Sequence, residues 1–126
     1  MGLTLPTATR NALANALDDL INAGSGAGYI TIRASSTVLA TINCSDPAFG
    51  SASTGVITLS GVPLSATASG TGTADNFKMY DSNNIEVVGG TASGSGGGGD
   101  LILDNTSISS GQTVTITSGT ITMPAS

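Results

Sequence analysis

Tyr29-Ile30-Thr31-Ile32-Arg33-Ala34, followed shortly by Thr37-Val38-Leu39-Ala40-Thr41-Ile42-Asn43-Cys44, decides the fold class of this chain. In the first segment Ile30, Ile32 and Ala34 alternate with Tyr29, Thr31 and Arg33. In the second, Val38, Ala40, Ile42 and Cys44 are expected on one face. A period of two places one set of side chains on a core and the other in water, which is the signature of a half-buried strand.

Upstream of these strands the period changes. Ala12, Leu13, Ala16, Leu17, Leu20 and Ile21 recur at spacings of one, three and four, and predict one amphipathic helix over residues 7–23. Pro6 and Thr7 supply its entry, with Thr7 or Thr9 as cap. Asn11, Asn15, Asp18, Asp19 and Asn22 are expected on the opposite, solvated side. Gly24-Ser25-Gly26-Ala27-Gly28 stops the helix. These glycines follow a helix and open a strand, with no lysine after them, so they lack the context of a phosphate-binding loop.

Downstream, everything reads as strand and turn. Short strands are expected at Val56–Leu59, Ala74–Tyr80, Ile85–Val88, Leu101–Leu103 and Thr113–Met123. Leu64–Thr73 reads as an edge strand or an extended connection. Asn43–Gly50 is a loop containing Asp46-Pro47, and Asp81-Ser82-Asn83-Asn84 is a hairpin turn. A flexible Gly-rich loop is expected over residues 89–100. In the last segment Val114 and Ile116, with Ile121 and Met123, should point inward, with a bulge near Gly119. Strands without alternating helices predict a mainly β domain, an antiparallel β-sandwich or barrel-like fold with one N-terminal α-helix. The 126 residues make a single domain, with the β part over residues 29–123.

Composition bounds the function. There is no His and no Trp, and Ser and Thr exceed a quarter of the chain. Tyr29, Phe49, Phe77 and Tyr80 are the aromatic residues, so the core must be thin and built from Leu, Ile, Val and Ala, with stability leaning on partner subunits. The formal net charge is −5, with 3 Lys and Arg residues. That is too few cations to track a phosphate backbone, so no direct nucleic-acid contact is expected. No apolar run reaches membrane-span length, so no membrane contact is expected. The opening residues lack the basic and apolar regions of a secretory signal. Cys44 has no second cysteine to pair with, and reads as a buried small hydrophobe.

Candidate chemical groups are sparse. Asp81, Asn83 and Glu86 lack the spacing of a calcium loop. Asp100 and Asp104 lie about 13 Å apart on an ideal strand, too far to share one ion directly. Asp46 and Asp75 are further candidates for a site built across loops. Lys78 alternates with Phe77 and Met79, which suits a solvated strand lysine better than an activated base. The expectation is therefore no enzyme, no cofactor and no metal. The helix stripe and the last strand are the preferred contact elements, with Arg10, Leu13, Leu17, Leu20, Arg33, Thr115 and Thr117 as interface candidates. Arg10 and Arg33 read either as surface salt-bridge partners of Asp18, Asp19 or another acid, or as interface anchors.

Two stretches carry a family resemblance. Leu3-Thr4-Leu5-Pro6-Thr7-Ala8-Thr9-Arg10-Asn11-Ala12 runs into Leu20-Ile21-Asn22-Ala23-Gly24-Ser25-Gly26-Ala27-Gly28, and Ser45-Asp46-Pro47-Ala48-Phe49-Gly50 follows. Together they resemble a family of small proteins encoded in the structural-gene regions of tailed bacteriophages. The likeness continues through Ala74–Asp81, Leu101–Ile108 and Thr113–Met123. It implies a virion component that decorates or cements the capsid, with the major capsid protein as partner and a homo-oligomer, dimer or trimer, as its form. It brings no catalytic residues with it. Relatives carry a longer excursion after the first strand, where this chain has only Ala34-Ser35-Ser36-Thr37. Two other readings stay open: a tail, neck or baseplate subunit, and a glycan-binding or adhesion module with a shallow polar site around Tyr29 or Tyr80.

Overall fold

The computed structural model describes residues 4–24, 26–45 and 48–123. Asp46-Pro47 and the first three residues lie outside them, and so does Asp46 as a candidate ligand. Among the described residues a single helix, α1 (Thr7–Ile21), precedes ten strands. Pro6 occupies the cap position with extended backbone, and no side chain caps the helix, so neither Thr7 nor Thr9 has the expected role. The helix ends at Ile21 rather than residue 23, and Asn22 closes it with its N–H on Asp18 O at 3.0 Å.

β1 (Tyr29–Ala34) and β2 (Thr37–Asn43) pair antiparallel, as the alternation requires. A bulge corrects the phase of β2. Ile32 pairs with Ala40 and Arg33 with Val38, so Leu39 is the extra residue. Leu39 is fully buried and Val38 only half-buried, the reverse of strict alternation. On the other side of β1 lies β6 (Asn76–Tyr80), antiparallel, with Phe77 and Met79 buried and Lys78 outward as its phase predicts. β7 (Glu86–Gly94) returns antiparallel to β6. Residues 89–94 are thus paired strand, and only residues 95–100 of the glycine-rich stretch form a loop.

That loop sets the main departure from an all-antiparallel sheet. β8 (Leu101–Leu103) runs parallel to β7, with Ala92 beside Leu101 and Gly94 beside Leu103. Parallel neighbours usually need a crossover of a dozen or more residues. Here six suffice because the chain folds back onto Ser93. Gly99 N–H donates to Ser93 Oγ at 2.8 Å, and a Cβ at Gly97 or Gly99 would come within 2.7–2.8 Å of the Ser93 side chain. Gly96 and Gly98 hold φ of +82° and +78°, which L side chains rarely adopt.

β10 (Thr113–Thr122) is antiparallel to β8, with a register shift between Ile116 and Ser118, just before Gly119. Its other edge carries β3 (Val56–Thr58) beside residues 120–122 and β4 (Leu64–Thr67) beside residues 113–116. The sheet order is β2-β1-β6-β7-β8-β10-β3, with β4 on β10. β5 (Gly72–Thr73) and β9 (Ser107–Ile108) form a separate two-stranded piece, so the 64–73 stretch is two short strands rather than one edge. β4 also comes back beside β2, and Ser69 and Gly70 N–H groups donate to Leu39 O at 2.8 and 3.1 Å. The domain is therefore mostly β, mixed in strand direction, with one N-terminal helix.

The core gathers Ile30, Ile32, Leu39, Ile42, Ile57, Phe77, Met79, Leu103, Val114 and Ile116 from these strands, with Ala14 and Ile21 from the helix. Ile121 and Met123 pack on its margin, half-buried.

Candidate functional site

The helix docks with the side the sequence marks as wet. Four polar side chains at positions 11, 15, 18 and 22 form a ladder along one helix face, on a 4-3-4 spacing that keeps them aligned. Each accepts a backbone N–H from the irregular segment 48–55 running antiparallel to it. Asn22 Oδ1 accepts from Ala48 (2.9 Å), Asp18 Oδ1 from Phe49 (3.0 Å), Asn15 Oδ1 from Ala52 (2.9 Å) and Asn11 Oδ1 from Gly55 (2.7 Å). Asn22 Nδ2 also donates to Asp18 Oδ1 at 3.1 Å. Segment 48–55 has few strand partners of its own, and buried N–H groups left unpaired are costly. Beside the ladder, Ala14 and Ile21 are fully buried and Leu17 is half-buried.

The expected apolar stripe is therefore split. Leu17 and Ile21 face the core, but Leu13 is 45% exposed and Leu20 58% exposed, with Ala12, Ala16 and Asp19 also exposed. Leu13 and Leu20 stand two turns apart on one side of the helix. Ile85, 60% exposed, lies in the β6–β7 turn, and that turn touches the helix end through the Ser82 hydroxyl, which donates to Ala23 O at 3.0 Å. Gly28 allows the close passage here, since a Cβ would come within 2.3 Å of Tyr80 O and 2.8 Å of Ile21 O.

The outer face of the β2-β1-β6-β7 sheet is a second surface, chemically different. The register places Asn43, Tyr29, Tyr80 and Glu86 in one row, and Thr41, Thr31, Lys78 and Gly89 in the next. Both tyrosines of the chain are here, stacked at 5.0 Å between ring centroids and 13° between planes. Tyr29 OH donates to Asn84 Oδ1 at 2.9 Å. Arg33 lies along this face: its Nε donates to Thr31 Oγ1 at 2.9 Å, Nη2 to Tyr80 OH at 2.8 Å and Nη1 to Ser36 O at 3.4 Å. All three partners are neutral. Lys78 pairs with Glu86 at 3.2 Å, the single ion pair among the described residues.

The remaining interface candidates do not join either surface. Arg10 is tied locally, through Leu5 O (3.0 Å), Thr7 Oγ1 (2.9 Å) and Thr54 O (3.2 Å), and makes no salt bridge with Asp18 or Asp19. Thr115 is half-buried beside Asp104, whose Oδ1 accepts its N–H at 3.2 Å, and Thr117 donates to Ile102 O at 3.2 Å. The seven candidates thus fall in separate places: Leu13 and Leu20 outward on α1, Leu17 inward on the core, Arg10 tied to Leu5, Thr7 and Thr54, Arg33 on the sheet face, and the threonines on β10.

The candidate ligand groups serve local structure. Asp81 is buried and its Oδ1 accepts the N–H groups of Asn83 and Ile85, fixing the β6–β7 turn. Asp100 accepts from Thr91 N and Oγ1, and Asp75 from Ser35 N. No three or more Cys, Asp or Glu side chains gather around one point among the described residues, and no pocket opens among them. Burial pushes the Cys44 thiol up to about 12, so it stays protonated near neutral pH.

No protein-family model, curated protein or solved structure matches this chain.

Proposed function

We propose that this protein is a structural component of a bacteriophage virion, a capsid decoration or cement protein that docks on the major capsid lattice. The observation that carries the docking part of this reading is the orientation of α1. It spends Asn11, Asn15, Asp18 and Asn22 on the body of the protein and leaves Leu13 and Leu20 in water. Covering each of those leucines would gain about 1–2 kcal/mol, and a lattice repeats such a modest contact many times. Exposed apolar patches on otherwise polar surfaces are typical of interaction sites. The phage assignment rests on the resemblance of the 3–28 and 45–50 stretches. The scaffold in this reading is a barrel-like domain, supported by the Ser69 and Gly70 bonds from the β4 side to β2.

The test is rebinding of the purified chain to stripped capsids of the virus that encodes it, read by cosedimentation. Leu13→Glu with Leu20→Glu should abolish rebinding while leaving the circular dichroism spectrum unchanged. Absence of the unmodified chain from both shell and tail would overturn the virion reading, and its appearance on the tail alone would move it to a tail, neck or baseplate subunit.

The shallow Tyr29–Tyr80 face favours a second reading, a glycan-binding or adhesion module. Its hydroxyl, amide and guanidinium groups are held in place by mutual hydrogen bonds. In that case saccharide binding to the isolated chain would be lost on Tyr80→Ala.

A further inference from the structure

We infer that the exposed face of α1 in one copy of this chain packs on the outer face of the β2-β1-β6-β7 sheet in a second copy, with Asp19 meeting Arg33 and Lys78. This rests on reading the outer side of α1 as a docking surface, and it assigns that surface to a neighbouring copy of this chain on the lattice, so that Leu13 and Leu20 serve particle binding by linking copies to one another.

Charge complementarity selects the occupant. The exposed side of α1 carries Leu13, Ala16, Leu20 and Asp19, and Asp19 has no ion-pair partner among the described residues. No cation lies on that side, because Arg10 is held by Leu5, Thr7 and Thr54. Two such helix faces brought together would place acid beside acid with nothing to neutralise either. The sheet face offers the opposite. Two of the chain's three cations, Arg33 and Lys78, lie on it; Lys78 is already paired there with Glu86 at 3.2 Å, which leaves Arg33 as the main attraction for an acid from outside. The Arg33 guanidinium is fixed in place by three neutral oxygens and has no carboxylate within 4.0 Å among the described residues. In a chain with 8 acidic residues and a net charge of −5, an immobilised arginine without an acidic partner is poised for one from outside.

Shape and residue type agree. A 15-residue helix is about 22 Å long, and four strands span roughly 15–20 Å, so the helix fits across the face. Tyr and Arg are the side chains that most often anchor protein interfaces, and the stacked pair supplies apolar edges for Leu13 and Leu20. Because the two contacting surfaces differ, the contact is head-to-tail and either closes into a ring or propagates. One helix on one sheet buries less than a standard interface, so pairs are weak in solution and repetition on a lattice strengthens them.

The experiment uses equal parts of unlabelled and 15N-labelled full-length chain, coupled with a zero-length carbodiimide reagent that joins carboxylates to amines. Lys78 is the only lysine, so a mixed-isotope peptide joining Asp19 to Lys78 is the expected product. In sedimentation velocity, Asp19→Lys alone should weaken association about tenfold, and Arg33→Glu with Lys78→Glu should do the same. Mixing these two variants should restore it. Monomer throughout the millimolar range, no mixed-isotope Asp19–Lys78 product, or association insensitive to the sheet-face reversal would each overturn the inference. Capsid rebinding reads separately. If it depends on Leu13 and Leu20 while the linkage is absent, the virion reading stands and this contact falls; if the linkage forms and no particle is bound, the converse holds.

Discussion

The β1–β2 hairpin and helix α1 are both amphipathic in sequence, yet they meet the core by opposite rules. The hairpin buries its apolar residues: Ile30, Ile32, Ala40 and Ile42 are at most 1% exposed. The helix buries Ala14 and Ile21 and sets beside them a polar ladder hydrogen-bonded to segment 48–55, while two of its leucines stay out. The difference lies in what each element packs against. Strands satisfy each other's backbone, so their inward side chains are free to be apolar. Segment 48–55 is irregular, so the helix beside it has to supply acceptors. Hydrophobicity decides which side faces inward only where backbone hydrogen bonding is already settled.

Truncation on the hairpin side should give the largest effect. Ile32→Ala removes a fully buried side chain from the centre of the core and is expected to cost about 2–5 kcal/mol in urea unfolding. A smaller loss would mean that the site collapses around the gap. The ladder comes next. Asp18→Ala deprives the buried Phe49 N–H of its acceptor and should cost about 1–3 kcal/mol, whereas Asp18→Asn, which keeps the acceptor oxygen, should recover most of that. Equal losses for Ala and Asn would show that charge, rather than the hydrogen bond, holds the helix down. The outer leucines should give the smallest change. Leu13→Ser and Leu20→Ser are expected to shift monomer stability by about 0.5 kcal/mol or less each, and a loss comparable to Ile32→Ala would show that the stripe is covered within one chain.

Much of the architecture was legible because period and punctuation carry it. The helix, both strands of the first hairpin, the Phe77–Met79 phase and the 81–84 turn all follow from local spacing. The bulge at Leu39 was not legible, since Val38 and Leu39 are equally apolar and only the pairing with Ile32 and Arg33 chooses between them. The parallel β7–β8 pair was hidden for a related reason. A glycine run signals freedom, and the tight return over Ser93 that uses this freedom is set by contacts. The Tyr29–Tyr80 stack joins residues far apart in the chain, although the phase of each strand did place both on the wet side.

For the candidate surfaces the division runs along the same line. The stripe containing Leu13 and Leu20 was visible as helical spacing, but its expected burial was not what the fold required.

By itself the sequence determined a small, mainly β domain behind one helix, few cations, and a core drawn mainly from aliphatic residues, because alternation, helical period and charge are properties of residues in order. Only the tertiary structure decided which helix face is covered, which strands run parallel, and that Arg33 lies against Tyr80 with no acid beside it among the described residues. Those outcomes depend on which backbone groups still need partners once distant segments meet, and no local pattern records that.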